Sequence, residues 1–296
     1  MSQRLSSKVL VALITTILLW ASAFVATRAV LVHGGLDPYR LALVRYSIAS
    51  LSLLVVAAAF KVRVPKLADV PRLFMTGLLG VGVYNIFLNL GQTQMKAGAA
   101  AFIVNTIPLF TALLSMAFLR DRLRPIGFAG MVVSFLGIVL ISIGEGKQLE
   151  LNWGAAVILM AALAWSIATI LQKPLLKRYR PIDIVSYSIW SGTACLLVFT
   201  PGVVGQMSAT GLRELMLIVY LGVFPAAVAY ACWAVVLSHF QPSRAASFLY
   251  LVPPLSTLIE IVWLREFPAT LSLIGGGLAL GGVILTNTLG REHKPR

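Results

Sequence analysis

The sequence has 296 residues, of which 59% are hydrophobic and 11% are charged, and its mean hydropathy is +0.91. A soluble domain is nearer a quarter charged, so this composition excludes an ordinary soluble protein and predicts a polytopic membrane protein. The net charge of +14 would suit nucleic-acid binding, but its uneven distribution between the connecting segments indicates membrane orientation instead, and no nucleic-acid partner is expected.

Ten apolar runs follow one another along the chain, each close to the roughly 20 residues that span a bilayer as a helix. The first is too long for a signal peptide and lacks a clear cleavage site, so we expect it to be retained. Cys195 and Cys232 lie inside predicted spans and suggest neither a disulfide nor a metal site. The predicted spans are residues 8–32, 38–60, 72–95, 97–119, 124–143, 151–173, 181–200, 211–238, 242–264 and 268–290.

The positions of the basic residues predict an orientation. With the N-terminus placed in the cytoplasm, most of the 24 lysines and arginines fall in segments on the inner side. This is the asymmetry of the positive-inside rule. Because the number of predicted spans is even, both termini are expected to be cytoplasmic.

The two halves of the chain align without a gap at an offset of 145 residues. Trp20 then matches Trp165, and "AAFIVNTIPLFTALLSMAFLRD" at 100–121 matches "AASFLYLVPPLSTLIEIVWLRE" at 245–266. Each half, 1–145 and 146–296, holds five predicted spans, so the second half enters the membrane from the opposite face. The pattern predicts an all-α protein of ten transmembrane helices in two inverted five-helix repeats, an arrangement typical of secondary transporters.

Four prolines lie in the interior of predicted spans, away from their ends: Pro108 in the fourth, Pro225 in the eighth, and Pro253 and Pro254 in the ninth. Proline removes a backbone donor and clashes with the preceding turn, so each is expected to break or kink its helix. Broken helices line the midplane sites of inverted-repeat transporters. We interpret these prolines as gating or lining residues, with plain packing kinks as the alternative.

Polar and aromatic side chains inside the spans are candidate substrate contacts. In the third span Asn85, Asn89 and Gln92 share one helix face at spacings of four and three residues, where hydrogen bonds between helices are the alternative. The other candidates are aromatic or amide residues within spans, for which interfacial anchoring or core packing is the alternative. They are Trp20, Tyr84, Asn105, Trp165, Tyr230, Trp233 and Tyr250.

Among the charged residues within spans, Arg45 and Glu260 are placed deeply enough to need a partner or water. Arg45, in the second span, is expected either to make a structural link to backbone carbonyls or a carboxylate, or to bind a substrate carboxylate. Glu260, about two turns beyond Pro253, is either a proton site or a paired structural carboxylate. Because no nucleophile–base pair or metal-ligand spacing is visible in the sequence, we expect no enzyme activity, catalytic residue, metal or cofactor.

Three features of the first half form a distinctive set: "LW" in the first span, the arginine of "ALVRYSIASLSLL" in the second, and "PLFTALL" with "FLRDRL" at the end of the fourth. With these motifs the chain resembles the drug/metabolite transporter superfamily, and within it the bacterial EamA-type members. The resemblance implies a secondary transporter of the bacterial inner membrane, commonly an exporter of amino acids, related metabolites or toxic compounds, and one branch exports aromatic amino acids. It also implies a central cavity surrounded by helices one, three, four, six, eight and nine, with the glycine-rich helices five and ten at the periphery.

The expected function is therefore export of amino acids or similar small metabolites by alternating access, with the lipid bilayer and a small-molecule substrate as partners. A passive facilitator or channel is one alternative, and an exporter of drugs, nucleosides or phosphorylated metabolites is another. A lone buried arginine favours a zwitterion over a phosphate, which would call for several cations. The glycine stripes of the fifth and tenth spans would serve a homodimer or packing within the chain equally well.

Overall fold

The computed structural model describes residues 7–119, 124–145, 152–239 and 248–289, and these contain helices and no strand. The predicted span limits at 151, 242–247 and 290 lie outside the described residues. A helix or a broken helix lies at each predicted span, and we number these α1 to α10. Their bounds are α1 Ser7–His33; α2 Pro38–Phe60; α3 Val70–Gly77, Leu78–Val83 and Tyr84–Gln94; α4 Ala97–Val104 and Ile107–Leu119; α5 Pro125–Glu145; α6 Trp153–Gln172; α7 Pro181–Leu196; α8 Leu212–Val223, Phe224–Val228 and Ala229–His239; α9 Val252–Leu264; and α10 Thr270–Thr288.

Six described helical segments are long and apolar enough to cross a membrane: Ser7–His33, Pro38–Phe60, Leu67–Gln94, Trp153–Lys177, Pro181–Phe199 and Leu212–Trp233. Four further apolar helices are shorter: Ala97–Thr111, Pro125–Ile141, Leu249–Leu264 and Thr270–Thr286. The protein is therefore a polytopic, all-helical membrane protein. The count of ten spans and the cytoplasmic termini stay predictions.

The helix breaks lie at equivalent positions in the two halves. A π-helical segment interrupts α3 at Leu78–Val83 and α8 at Phe224–Val228, and the two overlap when the chain is shifted by 145 residues. Pro225 lies inside the second π segment. α4 breaks after Val104, so that Pro108 is the second residue of its second half, where the missing N–H costs no helical hydrogen bond.

Glycines bring α5 and α10 into close contact within the chain. A Cβ atom on Gly137 would lie 2.5 Å from the Ala279 nitrogen and 2.5 Å from the Gly275 oxygen. Gly130 and Gly282 approach the partner backbone as closely. Of the two uses expected for these glycines, the structure therefore shows packing within the chain.

The two halves interleave rather than lie side by side. α1 packs against α8 and α9 of the second half, and α6 packs against α3 and α4 of the first. Side chains at the centres of α1, α3, α6 and α8 are thereby brought together.

The start of α2 is fixed by Asp37, whose Oδ1 accepts hydrogen bonds from the backbone nitrogens of Tyr39 at 3.0 Å and Arg40 at 2.9 Å. Partial burial opposes ionisation of Asp37. The hydrogen bonds from Arg40 and Gln206 outweigh that effect and lower the pKa of the carboxyl group below its ordinary value. An ionised cap at this helix N-terminus also complements the helix dipole.

Candidate functional site

Five aromatic side chains from both halves meet in one group, which we call the central aromatic cluster: Trp20, Tyr84, Trp165, Tyr230 and Trp233. Ring centroids are 4.8 Å apart for Tyr84 and Trp165, and 6.1 Å for Trp165 and Tyr230. Trp20 lies 5.5 Å from Tyr230 and 5.4 Å from Trp233. All five are only partly buried, so ring surface is left to contact a ligand.

The π segments set the positions of the two cluster tyrosines. Tyr84 directly follows the π segment of α3, and Tyr230 lies two residues beyond that of α8. The π segment of α8 also contacts α1, because its Pro225 carbonyl oxygen accepts a hydrogen bond from Trp20 Nε1 at 3.2 Å. Single-turn π segments are frequent at functional sites, since they re-aim side chains that an unbroken helix would point elsewhere.

Tyr46 adjoins the cluster and is not among the residues expected from the sequence. Its side chain is 1% exposed and packs in the same hydrophobic group as Tyr230. The Cζ atom of Arg45 lies 5.4 Å from the Tyr46 ring centroid. In the sequence, the one indication of a role for Tyr46 is its position directly after Arg45 in the second span.

The three amides of α3 are buried and use their nitrogens on backbone carbonyls. Asn85 bonds to Val81 one turn earlier at 2.8 Å. Asn89 reaches the Pro38 carbonyl at 2.9 Å, and Gln92 reaches the Phe24 carbonyl at 2.9 Å. The last two bonds join α3 to α2 and α1. Hydrogen bonds between helices are the alternative to substrate contact that the sequence offers for these amides.

Asn105 and Tyr250 make contacts with groups outside the central aromatic cluster. Asn105 is buried and donates to the Ala101 carbonyl at 3.1 Å, which caps the break in its own helix. Tyr250 packs beside Leu109, Met131 and Val283, in a different group of side chains. Pro253 is buried at the start of α9, directly after a 3₁₀ turn, and Pro254 is exposed.

Glu260 joins α9 to the start of α4. Its side chain is fully buried, and its carboxylate accepts hydrogen bonds from the backbone nitrogens of Ala97 and Gly98. Nearby, Arg28 of α1 donates to the Gln92 carbonyl at 2.6 Å and lies 3.7 Å from the Glu266 carboxylate. We call this region the Glu260 end of the bundle. Here side chains tie α1, α3, α4 and α9 together.

The described residues contain no group of three His, Cys, Asp or Glu side chains that could hold a metal ion. The site is instead an aromatic surface with one adjoining cation. Such a surface can pack against an apolar side chain and can attract a cationic group over the ring faces.

Comparison with known proteins finds one family model that matches each half of the chain and relatives that match nearly its whole length. The model of the family described as "EamA-like transporter family" matches residues 7–143 and again residues 152–288. "Uncharacterized transporter YdfC" of Bacillus subtilis (strain 168) is 39% identical over 268 residues, which are 90% of this chain and 87% of that protein. "Probable terminal-alkyne amino-acid exporter" of Streptantibioticus cattleyicolor is 34% identical over 293 residues, 97% of each chain.

One solved crystal structure is similar in fold, with a TM-score of 0.65 over 96% of this chain and 97% of that one. Its sequence identity of 21% supports the fold alone.

Proposed function

This chain belongs to the EamA-like transporter family, and we propose that it is a secondary transporter that exports amino acids or related small metabolites across the bacterial inner membrane. The observation that carries this proposal is the central aromatic cluster, to which the repeat-matched Trp20 and Trp165 each contribute. In this proposal residues 1–145 and 146–296 are two inverted units of five spans each, and both termini are cytoplasmic.

The cluster lies where the two units interleave, so a relative movement of the units would change access to it from each side. Inverted repeats support such an exchange, because each unit can adopt the conformation of the other. The π segments of α3 and α8 provide matched points where the helices can bend close to the cluster. Pro108, Pro225, Pro253 and Pro254 then serve as gating residues at the helix breaks.

Two observations support an amino-acid substrate. A relative that is 34% identical over 97% of this chain is named a probable terminal-alkyne amino-acid exporter. Half-buried tryptophan and tyrosine rings also offer an apolar surface for a hydrophobic side chain and a negative face for an ammonium group.

A passive facilitator would have the same fold and the same aromatic cluster. It would differ from a carrier in its transport kinetics. An exporter of phosphorylated metabolites is less well supported, because Arg45 is the only buried lysine or arginine in the described part of the chain. Drugs and nucleosides could occupy an aromatic site without a charge partner, so they belong in the substrate panel.

Counterflow in liposomes tests the proposal. Purified protein is reconstituted in vesicles loaded with one unlabelled amino acid, and uptake of labelled amino acids, nucleosides and sugar phosphates is followed, with protein-free vesicles as the control. We expect saturable uptake of labelled amino acid that the internal amino acid stimulates. Uptake that internal substrate does not stimulate would indicate a facilitator, and counterflow of sugar phosphates alone would contradict the amino-acid assignment.

A further inference from the structure

Arg45 is a cation with no hydrogen-bond or ion-pair partner in the described part of the chain. The residue is 7% exposed, and its Nε atom is enclosed without a hydrogen-bond partner among the described residues. No described residue accepts a hydrogen bond from its terminal nitrogens either. Among the described residues, the Tyr46 ring lies over the guanidinium, with its centroid 5.4 Å from Cζ. Such a cation–π contact offsets only part of the cost of removing a guanidinium from water.

The buried carboxylates of the described residues have partners other than Arg45. Asp69 pairs with Arg178 at 3.0 Å, and Asp183 pairs with Arg180 at 2.7 Å. Glu260 accepts two backbone hydrogen bonds at the start of α4. Arg45 therefore has no structural counter-ion in the described part of the chain, although an ion pair was among the roles expected for it.

The packing of α2 places Arg45 next to the central aromatic cluster. A Cβ atom on Gly222 would lie 2.9 Å from the Arg45 carbonyl oxygen, so α2 and α8 touch just before the π segment of α8. The Arg45 guanidinium lies over the Tyr46 ring, and Tyr46 belongs to the same group of packed hydrophobic side chains as Tyr230 of the cluster. An anion at the guanidinium would thus lie beside rings that can hold an apolar group.

We propose that Arg45 binds the carboxylate of the transported substrate, while the central aromatic cluster holds the substrate's apolar side chain. The substrate class is then a molecule with one free carboxylate and an apolar or aromatic side chain, such as an aromatic α-amino acid. A guanidinium matches a carboxylate in charge and offers a planar fork of donors for its two oxygens. This inference rests on the proposed transport of amino acids and adds the residue that recognises the carboxylate.

The test compares phenylalanine with phenylalaninamide, which keeps the ring and the amine but replaces the carboxylate by a neutral amide. Each is used as competitor in the counterflow assay, at a pH where both amines are protonated, for the wild type, Arg45→Gln and Arg45→Lys. The exposed Arg72→Gln is the matched control. We expect the wild type to prefer phenylalanine over its amide by about 30-fold or more, which corresponds to about 2 kcal/mol at 1.4 kcal/mol per tenfold.

Arg45→Gln is expected to abolish this preference by weakening phenylalanine alone, whereas Arg45→Lys retains part of it and Arg72→Gln retains all of it. An Arg45→Gln protein that exchanges phenylalanine and still discriminates against the amide would overturn the inference and leave amino-acid transport standing. A wild type that exchanges no amino acid would overturn both.

A measurement on the wild type alone covers the case in which Arg45→Gln does not fold. A ligand that binds the folded protein and not the unfolded chain raises its thermal stability by an amount that grows with the ratio of ligand concentration to Kd. We expect phenylalanine to raise the melting temperature and phenylalaninamide at the same concentration to leave it unchanged. An equal rise with both ligands would contradict a role of the carboxylate in recognition.

Discussion

The Glu260 carboxylate accepts a hydrogen bond from the backbone nitrogen of Gly98 at 2.9 Å, which joins the second repeat to the first turn of α4. A carboxylate at a helix N-terminus satisfies donors that have no intrahelical partner and complements the helix dipole. Of the two roles expected for Glu260, this geometry favours the structural one over a proton site.

Glu260→Gln is expected to destabilise the protein by roughly 1–3 kcal/mol, because the amide supplies one neutral acceptor in place of a charged pair of oxygens. Thermal unfolding in detergent measures the loss. Glu214→Gln is the control, since Glu214 lies in the first turn of α8 but is only partly buried. If the variant keeps its stability but loses its response to a pH gradient in the transport assay, Glu260 is a coupling site instead.

A disulfide between Gly98→Cys and Thr257→Cys should lock the Glu260 end of the bundle. A Cβ atom on Gly98 would lie 3.2 Å from the Thr257 Cβ, so the two helices need to separate by only a few tenths of an ångström to reach the roughly 3.5–4.5 Å found in disulfides. In a background of Cys195→Ala and Cys232→Ala, we expect counterflow to stop on oxidation and to return on reduction. The single-cysteine variants control for oxidation itself. Undiminished exchange by fully cross-linked protein would show that α4 and α9 need not separate there.

Gly137→Ala should destabilise the α5–α10 pair, because the new Cβ atom would meet the backbone of α10 at 2.5 Å. Overpacking of this kind costs about 1–3 kcal/mol. Gly281 lies on the same pair of helices with nothing within 4 Å of its Cβ position, so Gly281→Ala is expected to be neutral or stabilising by up to about 1 kcal/mol. Equal unfolding temperatures for the two variants would contradict this assignment of the glycines.

Much of the fold could be predicted from the sequence, because the lengths of the apolar runs are imposed by bilayer thickness. The presence of Trp20 and Trp165 in one cluster could also be predicted, since they occupy matched positions in the two halves of the chain. Asn105 and Tyr250 are a matched pair too, yet Asn105 bonds within its own helix and Tyr250 packs beside Leu109. A repeat match assigns equivalent positions in two helices and does not say how far each helix is rotated.

The sequence marks Tyr46 only by its position next to Arg45, because its contact with Tyr230 depends on how α2 packs against α8. The π segments are a second case. Pro225 predicted a break in α8, whereas α3 has a π segment without any proline, so its position depends on tertiary packing. The acceptors of Asn89 and Gln92 are carbonyls of other helices, which no local pattern specifies.

The most direct test of the central claim, that the aromatic cluster is the substrate site, is the KM for phenylalanine counterflow in Trp165→Ala and Trp153→Ala. Both residues belong to α6, but Trp153 is 60% exposed at its start, while Trp165 lies in the cluster. We predict that Trp165→Ala raises KM about tenfold or more, equivalent to about 1.4 kcal/mol of lost contact, and that Trp153→Ala leaves it unchanged. The same KM in both variants and the wild type would contradict the claim.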